Sequence, residues 1–422
     1  MRIGIDDTDS PDGMCTTYLG AALARALSRE GFIIHRVLLV RLNPNVPHKT
    51  RGNASVCLEV EGDREQAYRI GCDHINQLAD LAHKETQPGL VICEGLTDPS
   101  FYTQAVRDFC TIEDAEGILG KGGALYRGWN GGRGLIGATA AVCAEFPDAT
   151  YELLAYRHHE SREARSVARE SVFAAEDATF PHTWDSVDRE ENVVVCVPHT
   201  PDPVLFGIRG ESPAWVKAAR GFIRSETPVF EQLFCTNQGT DAHIICETGR
   251  TLLDGRSYAV CGTVTKHPVT SAGGHVRCQI RTEGGDALPA MAFEPTKGFR
   301  RIIRLLWPGD RVVVVGSYKD GCINLEKIGI LSLAAIKIVR PPLCPFCGRR
   351  MTSAGREKGY KCRRCKARAA GPEVKTLPRE ITPGWYEVPS TARRHLALPL
   401  VRCNDGTPSW WQKELSVTEE NV

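Results

Sequence analysis

The spacing of apolar residues predicts a chain of several units, the first of which alternates short strands with helices. Leu19, Leu23 and Leu27 recur at helical spacing after a first strand, in a helix that begins near Cys15 and that Gly31 ends. The glycine-dense stretch 120–141 leads into an apolar helix that starts near Gly134. We therefore predict an N-terminal α/β domain over residues 1–190.

Three further units follow this domain. Residues 191–256 read as a compact βαβ unit, which predicts a small ferredoxin-like α+β domain. Residues 257–340 contain five apolar strands separated by glycine turns, which predicts a small closed barrel, most simply an OB-fold that binds RNA. The prolines after Arg340 open a cysteine-bearing unit over residues 341–422. The fold class is thus a multidomain mixture of α/β and α+β.

The composition limits how the protein could bind nucleic acid and where in the cell it is expected. Of 422 residues, 52 are basic and 51 acidic, so the net charge of +1 excludes a global polycation. Nucleic-acid binding would have to come from local basic patches. The chain has no apolar run long enough for a signal peptide or a membrane span, so we expect a cytoplasmic protein with no membrane partner. In that setting the 17 cysteines are expected as reduced thiols and metal ligands.

Four cysteines near the C-terminus have the spacing of a zinc ribbon. Cys344 and Cys347 form one Cys-x-x-Cys pair, and Cys362 and Cys365 form another. Four thiolates close a tetrahedral Zn²⁺ site without an open position, so the predicted role is structural. Basic residues surround both pairs, and we predict RNA contacts for Arg349, Arg350, Arg363 and Arg364. A solvated charged surface is the alternative.

The first strand runs directly into three acids, Asp6, Asp7 and Asp9. Carboxylates this close repel one another unless a cation lies among them, and oxygen ligands suit Mg²⁺ that carries a nucleotide phosphate. We predict a magnesium site here. The alternative is an acidic turn in which Asp9 or Ser10 caps the following helix.

Two loops offer groups that could bind phosphate. In the glycine-dense stretch, backbone N–H groups around Gly122 and Gly134 could cradle phosphates, with Lys121 and Arg133 as counter-charges. The stretch is not a Walker A motif, because it lacks the Gly-Lys-Ser or Gly-Lys-Thr. The loop 43–53 offers Lys49 and Arg51 as further phosphate or RNA contacts.

Taken in order, several motifs resemble those of archaeal agmatidine synthetases that act on isoleucine tRNA. They are GIDDTDSPDGMCTTYL, VPHKTRGNAS, GGRGLIGATAA, FGIRG, CTNQGTDAH, the two cysteine pairs and ARRHLALPL, and together they span nearly the whole chain. The resemblance implies an ATP-dependent ligase that joins agmatine to C2 of the wobble cytidine of isoleucine tRNA, which allows the tRNA to decode AUA. It also implies that the N-terminal domain is an unusual kinase module.

Within that module, the resemblance implies that Asp6, Asp7 and Asp9 hold the metal and that a threonine becomes phosphorylated. We assign the threonine to Thr16, with Thr17 as the residue that could be confused with it. Asp12 is an additional acid that could join the metal or face water. The chemistry independently requires ATP, because O2 of cytidine is a poor leaving group and must be phosphorylated before an amine can displace it.

RNA recognition is expected to be distributed, because the target base must leave its stack to reach the kinase site. Candidate contacts outside the ribbon are Arg209, Asn237, Lys297, Arg300 and Arg301. The motifs FGIRG and CTNQGTDAH could equally fix strand ends. The competing hypothesis is a non-catalytic RNA-binding protein that senses nucleotide. The sequence leaves the agmatine ligands, the tRNA regions contacted by each domain and the oligomeric state open.

Overall fold

The computed structural model describes residues 1–95, 98–246, 251–403 and 405–412. In the first 236 residues the strands are Arg2–Asp6 (β1), Ile33–Arg41 (β2), Ala54–Glu61 (β3), Gly89–Cys93 (β4), Leu125–Gly128 (β5), Thr150–Tyr156 (β6), Thr183–Trp184 (β7), Val187–Asp188 (β8), Val193–Val194 (β9), Val204–Gly210 (β10) and Phe230–Thr236 (β11). The helices of this region are Thr16–Arg29 (α1), Arg64–Leu78 (α2), Pro99–Arg107 (α3), Ile112–Lys121 (α4), Gly134–Val142 (α5), Arg169–Thr179 (α6) and Pro213–Phe222 (α7).

Nine of these strands form one mixed sheet in the order β5-β4-β1-β3-β2-β11-β6-β10-β7. The parallel pair β2–β11 connects its two halves, with Leu38 opposite Cys235. The boundary predicted between residues 190 and 191 thus falls between β6 and β10, which are paired neighbours in this sheet. Periodicity indicates that a strand exists but not which strand it pairs with, so the sequence did not show that the sheet continues.

The N-terminal helix follows its prediction closely. Leu19, Leu23 and Leu27 are fully buried and pack with Ile3 and Ile5 of β1 in one core cluster. The residue that precedes the helix is Cys15, and no side chain caps the helix there. Asp9 and Ser10 therefore do not cap α1, which removes the capping alternative for the acidic turn.

The predicted barrel is present and closed. Its elements are Ile244–Cys246 (β12), Ser257–Thr270 (β13), Val276–Thr282 (β14), Ala287–Ala292 (β15), Phe299–Arg304 (α8), Arg311–Lys319 (β16) and Cys322–Ser332 (β17). Strand β13 pairs with both β14 and β16, and the parallel pair β15–β17 completes the ring. Buried residues such as Val260, Ile280 and Val314 fill its interior.

The C-terminal region divides into two parts that the sequence suggested were one. Its strands are Ile336–Arg340 (β18), Thr352–Ser353 (β19), Tyr360–Lys361 (β20), Arg368–Ala369 (β21), Glu373–Leu377 (β22) and Gly384–Glu387 (β23). The hairpin β18–β22 carries the cysteine pairs, whereas β23 returns to the barrel and pairs with β17. Residues 404 and 413–422 of the predicted tail lie outside the described residues.

The chain after β23 runs back to the large sheet and connects it with the barrel. Leu396 is buried in the same core cluster as Leu38 and Leu42. The carboxylate of Asp241 accepts a hydrogen bond from the backbone N–H of Leu398 (2.7 Å) and from Nζ of the buried Lys327 (2.7 Å). Because an ion pair this deeply buried is costly to break, it holds sheet, barrel and tail together. Among the described residues, no helix has the length and apolar content needed to cross a bilayer.

Candidate functional site

The acidic turn lies at one end of β1 and lines a cavity of about 290 Å³. Asp6 is the last residue of β1, and Asp7 follows in the left-handed region with a φ of 56°. Asp6, Asp7 and Asp9 all face this cavity, together with Arg133 and Gly137 from the start of α5. The structure thus brings the predicted acids together with part of the predicted phosphate loop.

Helix α5 approaches β1 so closely that glycine is required. A Cβ atom on Gly137 would overlap Oδ2 of Asp6, and one on Gly134 would lie 2.7 Å from the carbonyl oxygen of Asp6. Both positions are therefore restricted to glycine by the neighbouring strand. The close approach places the N-terminus of α5 beside the acids, where the helix dipole favours a bound phosphate. The N–H groups of its first three residues donate to the carbonyls of Gln87, Gly132 and Arg133, so the dipole and the Arg133 side chain are what this end of the helix offers to an anion.

Burial raises the pKa values of all three acids, and repulsion from neighbouring carboxylates adds to it. Burial, and then the charge of Asp7, hold the pKa of Asp6 well above its usual range. Burial raises the pKa of Asp7 to about 6 against the opposing charge of Arg133. Burial also raises the pKa of Asp9, although Arg51 opposes it. The site therefore has too little positive charge for its carboxylates, which a cation would correct.

Arginines neutralise two of the three acids. Arg133 Nη2 lies 2.8 Å from Asp7 Oδ2, and Arg51 Nη2 lies 2.8 Å from Asp9 Oδ2. Within the described ranges, Asp6 has no ion-pair partner. The three acids do not converge as a ready-made three-ligand metal site. Mg²⁺ usually takes one or two carboxylates together with substrate phosphates, so Asp6 and its neighbours fit an ion that arrives with a nucleotide.

A second cavity of about 290 Å³ adjoins the first and shares Asp9, Gly52 and Ala54 with it. Thr16 and Thr17, both buried, lie on its wall. Thr16 Oγ1 accepts hydrogen bonds from the backbone N–H of Thr8 (3.3 Å) and from its hydroxyl (3.2 Å). The Thr17 hydroxyl instead lies 3.0 Å from the Cys15 sulfur.

Asp12, the additional acid of this turn, lies outside both cavities and is exposed. Of the two roles that the sequence left open for it, the structure supports the one in which it faces water.

Several residues of the second cavity escaped the sequence analysis. Glu152 on β6 accepts hydrogen bonds from Arg209 Nε (3.1 Å) and from the amide of Gln238 (2.6 Å). His395 of the returning tail accepts a bond from Arg209 Nη2 at 2.7 Å. Burial and the neighbouring arginines hold the pKa of His395 well below its usual range, so its ring is neutral. These residues meet only through tertiary folding, and no local spacing marks them.

Two of the predicted phosphate ligands lie elsewhere. Lys121 ends α4, and Gly122 follows it before the edge strand β5. Strand β5 pairs with β4 so that its last residue, Gly128, lies opposite Gly89, which in turn faces Asp6. Lys121 and Gly122 therefore lie at the opposite end of β5 from the acids. The glycine-dense stretch, predicted as one loop, contains a strand that separates its two ends.

Among the RNA candidates, Asn237 is interior. It is 1% exposed, and its amide bonds to both backbone groups of Arg41 and to the Tyr102 hydroxyl. It therefore fixes the ends of β2 and β11, and an RNA contact would require breaking these bonds. Arg209 is engaged inside the second cavity, and Arg51 by Asp9. Lys49 lines the first cavity and contacts the carbonyl of Pro44.

The ribbon arginines have the exposure that RNA contacts require. Arg349, Arg350, Arg363 and Arg364 are all exposed around the hairpin end. On the barrel, Arg300 is engaged by Glu294 and by the carbonyl of Gly274, whereas Arg301 is exposed. Of the candidate RNA contacts on the barrel and the ribbon, the four ribbon arginines and Arg301 are thus the exposed ones.

The four cysteines form the predicted cluster. The sulfurs of Cys344, Cys347, Cys362 and Cys365 all lie within 4.8 Å of one another, and those of Cys347 and Cys362 are 3.7 Å apart. Tetrahedral Zn²⁺ with bonds of about 2.3 Å places its sulfurs roughly 3.8 Å apart. The donor set and its spacing therefore fit Zn²⁺ as a closed structural site.

Family models match three parts of the chain. They are the TiaS TCKD domain over residues 2–129, the TiaS FLD domain over 132–243 and the TiaS C-terminal zinc ribbon domain over 341–381. The second of these crosses the boundary that we predicted at residue 190, in agreement with the continuous sheet.

Comparisons of the whole chain with known proteins match it to the same family as the domain models. The chain is 49% identical over 407 residues to a Methanocorpusculum labreanum protein, the 2-agmatinylcytidine synthetase TiaS of isoleucine tRNA, with 96% of this chain and 97% of the relative covered. It is 44% identical over 409 residues to the protein of the same name from Archaeoglobus fulgidus, with 95% and 97% covered.

Solved structures also match at full length. The chain superposes with a TM-score of 0.88 on a complex of TiaS with isoleucine tRNA and ATP, at 42% identity, with 96% of this chain and 97% of that chain covered. The TM-score is 0.86 for a complex of TiaS with isoleucine tRNA, AMPCPP and agmatine, at 41% identity, with the same shares covered.

Proposed function

The chain belongs to the TiaS family of 2-agmatinylcytidine synthetases of isoleucine tRNA, and we propose that it joins agmatine to C2 of the wobble cytidine of that tRNA at the expense of ATP. The modified base then pairs with A, so that the tRNA decodes AUA. The observation that carries this proposal is the pair of adjoining cavities, one lined by the acids and the start of α5, the other by Thr16 and Thr17.

ATP is assigned to the first cavity, in a kinase-like module. The N-terminus of α5 and Arg133 would bind its phosphates, and Asp6, Asp7 and Asp9 would hold Mg²⁺. Bound Mg²⁺ supplies charge neutralisation at the phosphate that is transferred. The raised pKa of Asp6, which has no ion-pair partner among the described residues, supports this assignment.

The reaction takes place in two steps. First, O2 of the cytidine would attack a phosphorus atom of ATP, the P–O bond to the rest of the nucleotide would break, and the shortened nucleotide would leave, which converts a poor leaving group at C2 into a good one. Second, the primary amine of agmatine attacks C2, the C2–O2 bond breaks, inorganic phosphate leaves and the nitrogen loses a proton. Thr16 is proposed as the threonine that becomes phosphorylated. Its position beside the acids, within the second cavity, supports this role.

RNA binding is assigned to the barrel and the ribbon. The strand order β13-β14-β15-β17-β16 of the closed barrel, with α8 between β15 and β16, supports an OB-fold. The exposed arginines of the ribbon support contacts with tRNA phosphates, and the cysteine cluster supports a bound Zn²⁺. The requirement for tRNA and ATP supports a cytoplasmic location.

Nucleoside mass spectrometry tests the proposal. We would incubate the protein with a transcript of the isoleucine tRNA that carries a wobble cytidine, Mg²⁺, ATP and agmatine, and digest the tRNA. The wobble cytidine should gain the mass of agmatine less one water, and this product should be absent without ATP or when lysine replaces agmatine. A protein that binds the tRNA and ATP but leaves the cytidine unchanged would instead be the non-catalytic nucleotide sensor, which nothing in the comparisons favours.

A further inference from the structure

A third cavity, of about 580 Å³, lies outside both cavities of the proposed reaction. It is bounded by the end of α6, by the segment from Phe180 to Glu190 and by the tail from Glu387 to Arg393. It is about twice the volume of either of the other two. Asp185 lines both this cavity and the second one, so the two are neighbours.

The lining of this cavity is strongly acidic. Six carboxylates line it against two guanidinium groups, an excess of four negative charges when all are ionised; the acids are Glu176, Asp177, Asp185, Asp188, Glu190 and Glu387. Most have partners. Arg393 contacts both Asp185 and Glu387, and Arg189 contacts Asp177 at the rim.

Glu176 differs from the other acids of this lining because one of its buried carboxylate oxygens has no hydrogen-bond partner. Its residue is 6% exposed, and its Oε2 atom has no hydrogen-bond partner. Ser186 bonds to the carboxyl group and lowers its pKa, as does the charge of Arg189, but burial and Asp185 raise the pKa to about 7. A buried carboxylate oxygen without a partner costs free energy that a donor cation would recover.

The other lining groups suit an organic cation. Phe180 is 57% exposed, and the buried Trp184 also lines the cavity. Aromatic faces attract ammonium and guanidinium groups. A metal ion fits less well, because no three of these carboxylates converge within ligand distance in the part of the chain that the structure describes.

We propose that this cavity binds an alkylammonium or alkylguanidinium cation, with Glu176 as its ion-pair partner and Phe180 as an aromatic wall, at a site separate from the reacting centre. Glu176 supplies the charge and an unpaired acceptor. The large volume accommodates a linear amine of several carbons, such as a diamine, a polyamine or a second molecule of agmatine.

Calorimetric titration of the full-length protein tests this proposal, with agmatine and spermidine as probes and pentan-1-ol as the uncharged control. Glu176→Gln preserves the shape of the side chain and removes its charge, so it should abolish one binding site. Asp177→Asn, on the same helix but exposed at the rim, should leave the number of sites unchanged. Phe180→Ala removes an exposed ring and should weaken binding about two- to fivefold without disturbing the fold.

The number of agmatine molecules bound per protein distinguishes a failure of this proposal from a failure of the proposed function. If both are right, agmatine binds at two sites in the wild type and at one in Glu176→Gln. If the chain does not use agmatine, one site is expected in the wild type and none in the variant. Equal numbers of sites in both proteins, no binding in the wild type, or equal binding of pentan-1-ol would overturn the proposal.

Binding should also release protons near neutral pH, because the cation lowers the raised pKa of Glu176. Titrations in buffers of different ionisation enthalpy measure this release, and Glu176→Gln should lack it. Proton release that persists unchanged in the variant would contradict the assignment to Glu176.

Discussion

At the scale of the residue, Asp7 determines both the backbone conformation of the acidic turn and one of its ion pairs. Its backbone adopts a left-handed conformation, with a φ of 56°, which turns the chain out of β1. Its side chain pairs with Arg133 at the start of α5. Burial nevertheless raises its pKa to about 6, so its charge changes within an accessible pH range.

We expect kcat/KM for ATP to fall as the pH drops below about 6, approaching tenfold per pH unit, because protonated Asp7 cannot hold a cation. Asp7→Asn should reduce turnover by orders of magnitude and remove this inflection. Asp12→Asn, at an exposed position, should behave as the wild type. Steady-state rates between about pH 5 and 8 measure both effects, and a flat wild-type profile would mean that Asp7 is ionised throughout.

The contact between α5 and Asp6 allows a second test. A methyl group at Gly137 would overlap the Asp6 carboxylate, so Gly137→Ala should displace it and lower both ATP affinity and turnover at least tenfold. The control is Gly117→Ala in α4, where nothing lies within 4 Å of the added Cβ. That control should retain activity and gain up to about 1 kcal/mol of stability. Wild-type activity in Gly137→Ala would show that Asp6 need not occupy its present position.

At the scale of elements, the ribbon is an appendage with its own small core. Cys344, Met351 and Cys362 are its buried residues, and the hairpin β18–β22 connects it to the barrel. So small a core cannot stabilise a fold without a metal, which explains why four cysteines converge there.

Cys344→Ser should therefore reduce bound zinc from about one equivalent to near zero and unfold the ribbon. The sheet and barrel should keep their melting transition, because their cores share no residue with the ribbon. Cys261→Ser on β13 is the matched control and should retain the zinc. Elemental analysis and thermal denaturation measure the two properties, and a wild-type protein without zinc would reject the site.

At the scale of the whole molecule, the tail connects units that are distant in sequence. Arg402 pairs with Glu211 (2.6 Å) and Asp148 (3.0 Å), and Trp410 donates a hydrogen bond to Asp241 (2.9 Å). His395 reaches the wall of the second cavity. The chain after β23 thus packs against the large sheet and lines the second cavity.

Two deletions should separate these roles. Arg340 and Glu373 are opposite partners in the hairpin, so an Asn-Gly turn can replace residues 341–372. This excision should weaken tRNA binding at least tenfold and reduce its salt dependence, while the rate of ATP hydrolysis stays within about twofold of the wild-type rate.

Truncation after residue 381 should instead abolish both tRNA binding and ATP hydrolysis, because it removes His395 and Leu396. Filter binding and ATPase assays measure the outcome; unchanged tRNA affinity after excision would mean that the ribbon arginines do not contact RNA.

The sequence by itself determined the features that depend on local spacing. Leu19, Leu23 and Leu27 predicted the buried face of α1, the two cysteine pairs predicted the cluster, and Asp6, Asp7 and Asp9 predicted a shared acidic site. The leucines and the acids are near neighbours in the chain, and so are the two cysteines within each pair. Short-range geometry therefore already brings their side chains to one face or one turn.

Only the tertiary structure decided which distant segments meet. It placed Glu152, Arg209 and His395 on one cavity, separated Lys121 from the acids and buried Asn237. It also joined β2 to β11, so that two predicted domains share a sheet. Hydrophobic periodicity shows which face of an element is buried. The pairing of β2 with β11 and the return of the tail instead depend on contacts between segments that are more than a hundred residues apart, which no local pattern encodes.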